Sequence, residues 1–140
     1  LIDWPLLILF MGLFVVNHAL QDTGLTQQAL DALSARGLDL GEPGVLFGAT
    51  LVLSNLVSNV PAVMLLLPAA DGPHAGATLA LVSTLAGNLL IVGSIANIIV
   101  VDAARKCGIV IDWKTHARVG LPVTVLTLGI TAGWLALQTA

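Results

Sequence analysis

Two short stretches place polar side chains inside otherwise apolar sequence. The first is Ser54-Asn55-Leu56-Val57-Ser58-Asn59-Val60-Pro61, in which Ser-Asn recurs after four residues and a proline follows. The second is Gly93-Ser94-Ile95-Ala96-Asn97. Serine and asparagine bring neutral donors and acceptors without the cost of burying a fixed charge. Pro61 removes a backbone donor and disfavours helix at the residue before it. A Gly-Ser pair with Asn three residues on marks a point where a helix would unwind. Helix ends that meet at such points offer free N–H groups to an anion and free C=O groups to a cation. Ser58, Asn59, Ser94 and Asn97 are read as functional ahead of packing, because two breaks each carry Ser and Asn at matching depth.

The elements that must position these groups are membrane helices. Hydrophobic residues make up 57% of the 140 and charged residues only 9%, against roughly 25% charged in a soluble domain. With a mean hydropathy of +1.00, the chain reads as an all-α, multi-pass membrane protein. The net charge of −3 gives no basic surface for nucleic acid. The single cysteine, Cys107, makes no intrachain disulfide, and no Cys/His cluster points to a metal. No Ser/His pair or paired carboxylates fall at membrane depth, so an enzyme is not expected.

A first membrane helix is predicted over 4–20, with Trp4 as an interface anchor. Asn17 and His18 within it are read as helix-contact residues. Leu25, Ala29, Leu30 and Leu33 follow at helical spacing, which predicts a short surface helix. Residues 43–70 are free of charge but broken near their middle. Arms of roughly 14 and 10 residues would measure about 21 and 15 Å, too short for a core of about 30 Å. A re-entrant hairpin with its tip at Ser58-Asn59-Val60-Pro61 fits these lengths. A broken membrane helix is predicted over 78–107, with Gly87-Asn88 as a close helix contact inside it and the break at 93–97. A last membrane helix is predicted over 118–138, with Pro122 in its first turns. Four of the five Lys and Arg residues, Arg105, Lys106, Lys114 and Arg118, precede that helix, which makes the loop 102–118 cytoplasmic. Backbone that is not helical at membrane depth must be buried in protein or line a wet cavity, and broken helices of this kind build the midplane sites of secondary transporters.

The run "SNLVSNVPAVMLLLP", followed by "STLAGNLLIVGSIANIIVVDAARKCGIVIDWKTHARVGLPVTVLTL", resembles the second half of the ion transporter superfamily. It is most similar to the arsenical-pump-like and divalent-anion permeases, and more loosely to citrate transporters and sodium/proton antiporters. The resemblance implies one repeat of an inverted-repeat secondary transporter of small anions, with one re-entrant hairpin and one broken helix. It implies a homodimer in the inner membrane, elevator-like movement, an N-terminal half earlier in the same protein, no cofactor, and coupling to Na+ or H+. In the sodium/dicarboxylate branch, hairpin tips of Ser-Asn-Thr hold the substrate carboxylate. The matching positions here are Ser58, Asn59 and Val60, so valine stands in place of the hydroxyl residue. By the same likeness Ser94 and Asn97 join the substrate site, and Ser54, Asn59 and the Gly93 backbone form a cation site. Two other readings remain open from the residues alone: a sodium/proton antiporter, weakened by the lack of an intramembrane Asp or Glu, and a non-transporting membrane scaffold.

Overall fold

The computed structural model describes residues 4–139 of the chain. The described residues are helical or in turns, with no strand among them. Seven α-helices follow one another: α1 (Trp4–Asp22), α2 (Leu25–Ser34), α3 (Pro43–Val57), α4 (Asn59–Leu66), α5 (Ala75–Ala86), α6 (Ile95–Lys106) and α7 (Trp113–Thr139). Short 3-10 turns cover Leu67–Ala69 and Ile91–Gly93. The helices fall into two compact units, divided between Asp39 and Leu40.

The first unit holds α1 and α2. The polar sequence after α1 forms the short helix that its spacing predicts. Along α1, Trp4, Ile8, Met11, Val15 and Val16 are exposed. Exposed apolar residues on that scale suit lipid or another protein surface rather than water. His18 is exposed and stands 3.7 Å from Asp22. The side chain of Asn17 lies outside the described residues.

The second unit is built around α5. Its buried residues, Ala75, Thr78, Leu79, Val82, Ser83 and Ala86, recur at steps of three and four, which is one helix face. Most of them are small, so neighbouring backbones approach closely. Both α3 and α4 pack on α5, and α7 packs on it as well. Val82, Ala86 and Leu128 form the core, with Phe47, Leu51 and Leu85 against it. On α3 the buried stripe is Leu46, Thr50 and Ser54.

The charge-free run 43–70 breaks at a single residue. Ser58 separates α3 from α4 with φ 74 and ψ 159, a region almost reserved for glycine. Pro61 is the third residue of α4, among the first-turn positions whose N–H has no intrahelical partner. The proline therefore costs no hydrogen bond, and the turn is narrower than the four-residue tip expected.

The second interruption is wider than expected. The helix ends at Ala86 and resumes at Ile95, so residues 87–94 are unwound. Gly87 and Asn88 thus end a helix rather than pack in the middle of one, and Asn97 belongs to the first turn of α6. Ser94 caps α6, its Oγ accepting from the Ala96 N–H at 3.3 Å.

The last helix starts at Trp113, earlier than the 118 expected. Asp112 makes that start, its Oδ1 accepting the Thr115 N–H at 2.7 Å. Pro122 is consequently well inside α7, where it removes the bond to the Arg118 carbonyl. Among the described residues, Trp113–Gln138 is the one helix long and apolar enough to cross a membrane, while Pro43–Val57, Asn59–Ala69 and Ala75–Ala86 are shorter apolar helices.

Candidate functional site

The unwound segment after α5 is where side chains from several helices converge. A helix end leaves its last carbonyls without intrahelical partners. Unsatisfied carbonyls away from water are costly, and here three in a row are engaged from three different helices. The Ala86 carbonyl accepts from Asn55 Nδ2 on α3 at 3.0 Å. The Gly87 carbonyl accepts from Asn97 Nδ2 on α6 at 2.8 Å. The Asn88 carbonyl meets His116 Nε2 on α7 at 2.9 Å. Asn97 also reaches the Leu90 carbonyl at 3.3 Å, so one amide ties both sides of the turn.

Close backbone approach makes the arrangement possible. A Cβ on Gly93 would stand 2.8 Å from Asn55 Oδ1 and 2.9 Å from the Gly87 oxygen. A Cβ on Gly120 would stand 2.5 Å from the Asn88 oxygen. Real side chains do not occupy such positions, so both glycines are required by space, not by backbone conformation.

Among the described residues, two of the buried oxygens left over lie on α3. Ser54 Oγ and Asn55 Oδ1 are buried and have no hydrogen-bond partner. Thr124 Oγ1 on α7 is in the same condition. Buried polar atoms are nearly always paired, so each unpaired one asks for a reason. Asn55 divides its labour, its Nδ2 donating to Leu51 and Ala86 while its Oδ1 lies against Gly93. The C-terminal end of α5 adds the partial negative charge of a helix dipole nearby. Neutral oxygens of this kind suit a hard cation.

The turn at Ser58, between α3 and α4, is arranged differently. Asn59 Oδ1 accepts from the Val60 N–H at 3.0 Å and, at 3.4 Å, from the Ser58 hydroxyl. Ser58, Asn59 and Val60 are all half-buried. With the Ser58 hydroxyl and the Val60 N–H turned onto Asn59 Oδ1, the donor character of this turn rests on the Asn59 amide N–H2, which suits an anion. From α3 it is Asn55, not the tip, that reaches the unwound segment.

Of the residues singled out from sequence, Gly93, Ser94 and Asn97 sit together at the unwound segment, and Ser54 lies one residue from Asn55. Ser58, Asn59 and Val60 form the separate turn. His116 was missed, because a histidine before an apolar run reads as the edge of a loop until Asp112 is known to start the helix. Beside it is an open, mainly apolar recess of about 400 Å3 lined by Asn88, Ile111, Thr115, His116, Val119, Gly120 and Val123. Asp112, just before α7, is held below the usual carboxylate range by hydrogen bonds from the Thr115 hydroxyl and then its backbone N–H.

Known proteins match this chain along most of its length. The profile of the citrate transporter family matches residues 1–86. An uncharacterized transporter of Mycobacterium tuberculosis is 31% identical over 98% of this chain and 35% of its own length. A silicon efflux transporter of Oryza sativa subsp. japonica is 35% identical over 92% of this chain and 30% of its own. A Dictyostelium discoideum protein named as a transporter, arsB, is 33% identical over 91% of this chain and 24% of its own. The chain spans about a third or less of the length of these relatives. No solved structure matches it.

Proposed function

Because the chain belongs to the citrate transporter family, within the ion transporter superfamily, we propose that it supplies one repeat of a secondary transporter of small anions. In this reading residues 43–70 are a re-entrant hairpin, 78–107 a broken membrane helix and 118–138 the membrane part of the last helix. The loop 102–118 faces the cytoplasm, and the whole protein sits in the inner membrane as a homodimer. The other repeat comes from an N-terminal half of the same protein.

The observation that carries the reading is the pair of interruptions. Two helices break at Ser58 and over 87–94, both in apolar surroundings, and each break holds neutral polar groups in place of charges. Broken helices with neutral polar groups at their ends are the construction that receives ions and substrates in secondary transporters. Ser58, Asn59 and Val60 of the tip, with Ser94 and Asn97, receive the anion. Ser54, Asn59 and the Gly93 backbone receive the coupling ion, Na+ or H+. The buried, unpartnered oxygens of Ser54 and Asn55 support a cation on this side of the break. Binding both ligands at once neutralises their charge, which lowers the cost of carrying them through a low-dielectric region.

The test is uptake by the full-length protein in vesicles, with citrate, silicic acid and arsenite as probes, under an imposed Na+ or pH gradient. Gradient-driven uptake of citrate, abolished in Ser54→Leu, supports the reading. Movement of silicic acid alone, with no dependence on either gradient, refutes an ion-coupled anion transporter.

A further inference from the structure

We propose that His116 is a positioning residue that ties the first turns of α7 to the unwound segment 87–94, and so couples the last helix to the break. The inference rests on the reading of that break as part of a transport site. Its basis is that two features of α7 address one atom. His116 Nε2 lies 2.9 Å from the Asn88 oxygen, and a carbonyl oxygen only accepts, so Nε2 carries the proton. One turn further on, Gly120 brings the α7 backbone so close that a Cβ would stand 2.5 Å from the same oxygen. His116 and Gly120 are four apart and share a helix face.

The other two donors at this end come from interrupted elements. Asn55 belongs to the helix that precedes Ser58, and Asn97 to the helix that follows the break. His116 alone among the three comes from the long, continuous helix. A shift of α7 along its axis is therefore transmitted to the Asn88 carbonyl, and through residues 88–90 to the carbonyls that Asn97 holds. The contact forms because Asp112 starts α7 early: the His116 N–H bonds to the Asp112 carbonyl at 3.0 Å, which makes residue 116 helical and aims it.

Hydrogen exchange on the full-length protein tests the tie directly. Three amides of the segment report its opening: Asn88 and Leu89 donate to the Leu85 and Ala86 carbonyls at the end of α5, and Gly93 donates to Leu90. Three variants separate the causes: His116→Phe removes the donor, His116→Gln keeps an N–H of similar reach, and Gly120→Ala keeps the histidine but crowds the contact itself, its Cβ standing 2.5 Å from the Asn88 oxygen and 3.2 Å from His116 Nε2. One lost hydrogen bond predicts roughly five- to tenfold faster exchange over 87–94 in His116→Phe and Gly120→Ala. Exchange in α5 stays as in the parent, and His116→Gln restores the segment. In parallel, citrate uptake by His116→Phe loses turnover with KM unchanged. Unaltered exchange over 87–94, or His116→Gln matching His116→Phe, overturns the proposal. So does a uniform rise across α3, α5 and α7 with a lower Tm, which is the signature of a packing residue. Should His116→Phe fail to fold, Gly120→Ala and His116→Gln decide the matter by the same readout. If the exchange pattern appears but the parent moves no citrate under any gradient, the tie stands and the anion-transport reading falls.

Discussion

Replacing Ser58 with glycine should stabilise the protein while impairing it. Ser58 holds φ 74 and ψ 159 between α3 and α4. A side-chain-bearing residue there stores on the order of 1–3 kcal/mol. Glycine relieves that strain but loses about 0.5–1 kcal/mol to the greater freedom of the unfolded chain. The hydroxyl contact to Asn59 Oδ1 is long, at 3.4 Å, and contributes little. The net is a gain of roughly 1 kcal/mol, or about 2–4 °C in Tm for a protein of 150–250 residues and less for a longer one. Ser58→Ala removes the hydroxyl but keeps the strain, so its Tm should stay at the parent value. If Ser58 holds the anion as proposed, both variants lose a hydrogen bond to a charged ligand, which is worth about 1.5–3 kcal/mol, or roughly ten- to hundredfold in affinity. Thermal unfolding in detergent and citrate uptake across a concentration series, on the same full-length preparations, measure the two effects. A lower Tm for Ser58→Gly than for the parent would show that the backbone at this turn is not strained. A parent-like affinity in both variants would remove Ser58 from the anion site.

Asn55→Ala should lower stability by about 0.5–1.5 kcal/mol, since it removes the bond from α3 to the Ala86 carbonyl, which keeps the Leu89 N–H as its other partner; Asn97→Ala should lower it through the lost bond to the Gly87 carbonyl, and chemical denaturation of each variant reads the loss. Gly93→Ala should be worse than either, because its Cβ meets Asn55 Oδ1 and the Gly87 backbone together; pairing it with Asn55→Ala should recover only part of the loss, as the Gly87 contact remains. Cysteines at Glu42 and Asp71, with Cys107 removed, should both react with an impermeant thiol reagent from the outer face; labelling from opposite faces would make residues 43–70 a full span. The Thr115 amide resonance should titrate with Asp112. The carboxylate is depressed in the folded state, so its contribution is complete at neutral pH and fades only as pH falls below about 4 and through the lowered value. Asp112→Asn should flatten that titration.

Where the chain breaks was legible because the causes are local. Pro61 acts on the residue before it, and the glycines at 87 and 93 weaken a helix wherever they stand. The single-residue turn at Ser58 and the surface helix over Leu25–Ser34 follow from such neighbours. The boundaries that moved also moved for a local reason that is harder to read. Asp112 as a cap looks in sequence like one more acidic residue in a loop, and only the helix built on it shows that Trp113 to Ala117 are helical. Asn88 was assigned to a helix interior because nothing in "GNLL" announces a helix end as strongly as a proline does.

Composition alone determined that this chain belongs in a membrane, since 9% charged residues cannot cover a soluble surface of this size. The order of apolar runs and their interruptions determined which polar groups fall inside apolar sequence. Which donor meets which carbonyl was decided by tertiary structure. Asn55 finds the Ala86 oxygen 31 residues away, and His116 finds the Asn88 oxygen 28 residues away. Every Asn in the sequence carries the same amide. Only the packing of α3, α6 and α7 around the end of α5 selects Asn55 and Asn97 as ties, leaves Ser54 Oγ and Asn55 Oδ1 without partners, and brings a histidine from beyond the apolar run into the break. Spacing along a chain fixes local geometry, but these contacts depend on how close two backbones come, and the glycines at 93 and 120 set that distance.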